Sequence, residues 1–146
     1  MPTLFDQRDR DAVLRRLRSL TPQHQRRWGK MTAPQMVCHV SDQLRVALGD
    51  LPTRRSGGGA RGVFARVYAI HTPFPWPRGR VRTAPEMLTA KPSSWDADVA
   101  ACAALIARFD KERPGTVHPA FGALTPREWG ILAAKHLDHH FTQFGA

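Results

Sequence analysis

Apolar residues recur at helical spacing in four separate stretches of the chain, and no run of β-branched residues alternates as a strand would. Val13, Leu14, Leu17 and Leu20 form the first stripe and predict a helix over Asp6 to Leu20, with Arg15, Arg16 and Arg18 outward and Thr21-Pro22 ending it. Met36, Val40, Leu44 and Ala47 form the second. Thr32 caps it with Gln35 three residues on, and Gly49 stops it after Leu48. The third runs from Trp95 to Lys111 behind the cap Ser94, with Val99, Cys102, Ala103, Ile106 and Phe109 inward. Arg113-Pro114-Gly115 closes it. The fourth is announced by Leu124-Thr125-Pro126-Arg127-Glu128-Trp129: a cap, a proline suited to the first helical position, and a carboxylate placed for a capping box. It continues without a breaker to Gly145.

The connections differ in character. Leu51 to Ala60 contains three successive glycines and reads as a flexible link. Arg61 to Ile70 allows a short helix with Val63, Phe64, Val67 and Tyr68 on one face. His71 to Pro92 carries five prolines, which exclude a long continuous helix. Phe74 and Trp76 within it argue for packing onto the rest, either as the wall of a pocket or as a plain cover over the core. The expectation is an all-α fold: a single domain over residues 1–146, built as a four-helix bundle with a long proline-rich connection between the second and third main helices.

Composition narrows the classes. The chain has 146 residues, 42 % of them hydrophobic, enough for one buried core. Its longest apolar run, Val99 to Ala107, is well short of the ~18 residues a membrane span needs. The N-terminal residues MPTLFDQRDR place charges where an export signal would be apolar. Cys38 and Cys102 lie inside predicted helices without a pairing motif and read as buried, reduced thiols, so the expected compartment is the cytoplasm. The formal charge of +10 attracts anions, nucleic acid included. The basic residues are dispersed, however, and no zinc-finger, RNA-recognition or helix-turn-helix pattern accompanies them. Nucleic acid is therefore a disfavoured partner, and a membrane is not expected to be one.

The chemistry concentrates in the last predicted helix. At about 100° per residue, His136 and His140 fall one turn apart on the face shared by Trp129, Leu132 and Gln143, while His139 points aside. An i, i+4 histidine pair presents two imidazoles to one metal ion without strain. His39, at the edge of the second stripe with Gln43 one turn below, is the best third ligand. Three neutral imidazoles leave a coordination position open, as catalytic rather than structural sites do. Such a set suits zinc, nickel, iron or copper alike. The open position would activate water for hydrolysis or an incoming thiol for transfer. Gln143, Asp42 and Asp138 are candidate orienting partners for the imidazoles, Gln143 the best placed by helical phase and Asp138 the worst. His118, beside Pro119, either reaches the site from its loop or holds a turn. Glu128 is explained by capping. No Ser-His-Asp arrangement, phosphate-binding glycine loop or HExxH motif competes.

The segments WGKMTAPQMVCHV, PWPRGRVRTAPEML and HPAFGALTPREWGILAAKHLDHHFTQFG resemble the DinB-like (YfiT-type) metal-binding four-helix-bundle superfamily, in a branch without an assigned substrate. The resemblance covers nearly the whole chain, and the last block is the most specific. It implies one histidine on the second helix and an HxxxH pair on the last, which by position are His39, His136 and His140. It also implies a divalent metal ion as cofactor, and activities ranging over metal-dependent hydrolases and transferases that use low-molecular-weight thiols. The implied partners are a small-molecule substrate, a thiol among the candidates, and a second copy in a homodimer. The alternatives are a non-catalytic bundle with a structural or vestigial metal site, acting through a partner surface, and a basic nucleic-acid-binding module.

Overall fold

The computed structural model describes residues 1–54, 59–79 and 83–146, with no side-chain description at 59–61 and 86. The glycine-rich link expected over 51–60 therefore lies in part outside the described residues, as do residues 80–82 of the proline-rich stretch.

Helix α1 spans Gln7–Ser19, capped by the Asp6 carboxylate on the Arg8 N–H. Helix α2 spans Ala33–Leu48, and at its start Thr32 and Gln35 form a full capping box. It ends where Gly49 turns left-handed at φ 85°, a conformation that glycine adopts without steric cost. Short helix α3, Gly59–Arg66, passes into one π-helical turn over Val67–His71. The proline-rich connection then holds a single 3-10 turn, Pro85–Leu88. Helix α4 spans Trp95–Arg108, three residues shorter than its apolar stripe suggests. Its end tightens into a turn in which Phe109 and Asp110 bond back three residues instead of four. Helix α5, Pro126–Gln143, has the capping box of Thr125 and Glu128 and ends before Gly145 at φ 83°.

Four main helices thus form an all-α bundle, with the long connection between its second and third members. The only β-structure among the described residues is a two-residue ladder, β1 Val117–His118 against β2 Gly122–Ala123. Pairs this short carry no alternation to read. Helix α2 is central, packing on α4, on α5 and on the 3-10 turn. Two contacts set α2 antiparallel to α5. Thr116, which accepts the Trp129 indole N–H, donates to the Val46 carbonyl at one end, and Gln143 donates to the Trp28 carbonyl at the other. Met36, Val40, Leu44, Ile106, Trp129, Leu132, Leu137 and Phe141 are fully enclosed between the helices.

Arg16 departs from the outward face expected of it. Its guanidinium reaches across to Asp138, Thr142 and the Ala146 carbonyl, tying α1 to the end of α5. The N-terminal residues also lie on α5. Leu4 donates to the Gly130 carbonyl and is fully buried, and a Cβ at Gly130 would come within 2.6 Å of both the Phe5 ring and the Thr3 hydroxyl.

Candidate metal centre

His39 on α2 and His136 and His140 on α5 converge because the antiparallel pairing brings the middle of α2 against the second half of α5. Their nearest ring nitrogens all lie within 4.8 Å of one another. His39 Nε2 stands 3.0 Å from His136 Nε2, and the three rings meet edge to face at centroid separations of 4.6–4.8 Å. All three side chains are buried, between 4 and 9 % exposed.

Two of the rings have a defined tautomer. His39 Nδ1 donates to the Met87 carbonyl at 2.8 Å, which leaves Nε2 as a lone pair that accepts from His136 Nε2. His140 Nδ1 lies 2.9 Å from Gln143 Oε1. The amide of Gln143 is oriented in turn, because its nitrogen donates to the Trp28 carbonyl at 2.6 Å. Oε1 is therefore the acceptor, Nδ1 carries the proton, and His140 Nε2 is free. Gly29 permits this contact. Its φ is 82°, and a Cβ there would overlap the Gln143 nitrogen. His136 Nδ1 is buried and has no partner among the described residues, nor does either side-chain atom of Gln43, one turn beyond His39.

Burial is the main reason that all three imidazoles titrate low. It depresses His39 against the opposing effect of the Met87 bond. It depresses His136 well below the usual histidine range, helped by His140 and His39. It brings His140 down to about 3, helped by His39. The cluster is thus neutral at physiological pH, the form in which imidazole binds metals. Neutral rings, ring nitrogens within 4.8 Å of one another and two Nδ1–H groups already bonded, those of His39 and His140, fit a divalent ion.

Asp42 does not touch an imidazole. Its carboxylate is 1 % exposed and clamps the loop after the 3-10 turn: Oδ2 accepts from the N–H groups of Thr89 and Ala90, each at 2.8 Å, and from the Thr89 hydroxyl at 3.0 Å. Oδ1 accepts from Arg45 at 3.0 Å. That loop carries Met87, whose carbonyl orients His39. His118 is outside the cluster. Its Nδ1 accepts from the N–H groups of Ala120 and Phe121 and its ring stacks on Phe121, so it holds the turn between β1 and β2. Burial lowers its pKa to about 4. Glu128 caps α5 and also takes a forked ion pair from Arg66, with His71 beside it.

Trp76 lies against the centre, its ring 5.8 Å from His136 and 5.9 Å from His139. Its indole N–H donates to the Ala69 carbonyl. Phe74 is 60 % exposed and lines a small surface pocket with Trp28, Arg78 and His139. Met87 and Trp28 are the residues that sequence reasoning missed. Each acts through a backbone carbonyl, which has no side-chain signature.

The family model of the DinB superfamily matches residues 6–144. The chain belongs to the DinB superfamily. Comparison with curated proteins and with solved structures gives no significant match. The helical fold and a histidine trio able to hold a metal ion are what this membership leads one to expect, and both are present. No helix among the described residues is long and apolar enough to cross a membrane.

Proposed function

We propose that this DinB-superfamily protein is a divalent-metal-dependent enzyme, a hydrolase or a low-molecular-weight-thiol transferase, with His39, His136 and His140 as the metal ligands. The observation that carries this reading is the convergence of three neutral imidazoles, two of them with the Nδ1 proton already bonded to a fixed acceptor. A three-nitrogen set leaves at least one position for water or substrate. The ion would supply Lewis acidity there, making water or a thiol a competent nucleophile near neutral pH.

The chain's own groups do the rest. Gln143 and the Met87 carbonyl hold two imidazoles in the ligating tautomer. Asp42 holds the loop that presents Met87. Trp76 and the enclosing helices restrict bulk water around the imidazoles.

The test is elemental analysis of protein purified without a histidine tag, beside His39→Ala, His136→Ala and His140→Ala. Near-stoichiometric zinc, nickel or iron in the wild type and its loss in each variant, with helix content retained, is the expected result. Stoichiometric metal retained by the His136 or His140 variant would refute the ligand assignment. Metal without turnover on hydrolytic and thiol-transfer substrates would instead favour the non-catalytic reading.

A further inference from the structure

A cleft of about 390 Å3 opens beside the centre, and His39 forms part of its lining. The volume falls in the range of small-molecule sites. One wall comes from the segment entering α2, with Lys30, Met31 and Gln35; the other comes from Leu88 to Pro92. Both walls are fixed from behind. The Thr32–Gln35 capping box holds the first, and the Asp42 carboxylate holds Thr89 and Ala90 of the second.

The chemistry of the lining is one-sided. Lys30 and Lys91 face it from separate segments; among the described residues no carboxylate lines it and neither lysine has an ion-pair partner. The chain has only four lysines among 22 basic residues, so two at one cleft are not explained by its arginine-rich surface. Met31, Leu88 and Pro92 supply apolar contact, and Leu88 is 53 % exposed.

We infer that this cleft is the substrate entrance to the histidine centre and that it selects small organic anions, an apolar body carrying a carboxylate or phosphate paired with Lys30 and Lys91. The inference rests on the metal-centre reading above and adds the substrate class to it. Two lysine ammonium groups on rigid walls form charge-assisted hydrogen bonds to such a head group without first ordering a loop.

Octanoate, octyl phosphate and the neutral octanamide are titrated calorimetrically into metal-free protein, into the Lys30→Met/Lys91→Met variant and into Lys111→Met. The last is a control at the far end of the bundle, where Arg108 pairs with Asp50. The wild type and the control should bind at least one of the two anions about tenfold more tightly than octanamide, and the double variant should lose that preference. A carboxylate source is indicated if octanoate binds the more tightly, a phosphate source if octyl phosphate does. Equal binding of octanamide, or an anion preference that survives in the double variant, overturns the proposal.

A second arm uses protein loaded with cobalt(II). Octanoate or octyl phosphate should shift its visible absorption in the wild type and not in the double variant. Anion binding that leaves the spectrum unmoved would show that the cleft does not lead to the centre and overturns the proposal. Failure to take up cobalt(II) at all would refute the metal-centre reading, while the lysine-dependent preference still reports on the cleft.

Discussion

Asp42→Asn is the sharpest single perturbation of the site, because it keeps shape and removes charge. Three donors converge on Oδ2, from Thr89 N–H, Thr89 hydroxyl and Ala90 N–H, while Arg45 pairs with Oδ1. An asparagine can keep its oxygen toward the loop, which leaves its NH2 group facing the Arg45 guanidinium. Each loop bond then falls from a charge-assisted value of about 1.5–3 kcal/mol to a neutral one of about 0.5–1.5 kcal/mol. Three such losses come to about 3 kcal/mol, and the half-exposed Arg45 pair adds about 1 kcal/mol at most. Urea unfolding of the metal-free variant should show a loss of about 3 kcal/mol, with Arg45→Ala costing under about 1 kcal/mol. The loosened loop carries the Met87 carbonyl that orients His39, so metal affinity should fall about 10- to 100-fold in a chelator competition. Wild-type metal affinity in a clearly destabilised variant would refute the route from Asp42 through the loop to His39. An unchanged urea midpoint would refute the clamp itself.

Other outcomes test neighbouring contacts. Gly29→Ala should weaken metal binding as well as stability, because its Cβ would overlap the Gln143 nitrogen and its φ of 82° disfavours any side chain; chelator competition and a thermal melt read both, and a loss of stability alone would mean that Gln143 does not orient His140. Gly130→Ala should destabilise by about 1–2 kcal/mol in urea even though alanine is the better helix former, since Phe5 and Thr3 must move away and uncover Leu4; a gain in stability would refute that packing. Burial opposes ionisation of Glu128, yet Arg66, Thr125 and His71 outweigh it and hold the pKa at about 2. The folded-state pKa lies below the unfolded value, so this stabilisation is complete above about pH 4.5 and is lost as pH falls toward 2. With screening at the partly exposed Arg66 allowed for, it amounts to about 2 kcal/mol, and Glu128→Gln should flatten the acid limb of a stability–pH curve. Gln43→Met should stabilise the metal-free protein by about 1–2 kcal/mol because it removes a buried amide with no partner among the described residues; a fall in stability would show that the amide is hydrogen-bonded in solution.

Local chemistry set the starts of α2, α4 and α5 and the stops after α2 and α5. Thr32, Ser94 and Thr125 each accept a backbone N–H at a helix start, and Gly49 and Gly145 turn left-handed beyond helix ends, because caps act within a few residues of themselves. Helical phase likewise placed His136, His140 and Gln143 on one face, and the His140–Gln143 bond follows from that phase. The 3-10 turn that carries Met87, and its approach to His39, were decided only by the tertiary structure. So were the use of Asp42 on a loop rather than on an imidazole, the turn held by His118, and the reach of Arg16 to α5. Each of these joins groups from different segments, or pairs a side chain with a backbone amide that every residue possesses. A periodicity read along the chain identifies a buried face, but it does not say which donor across the interior that face will meet.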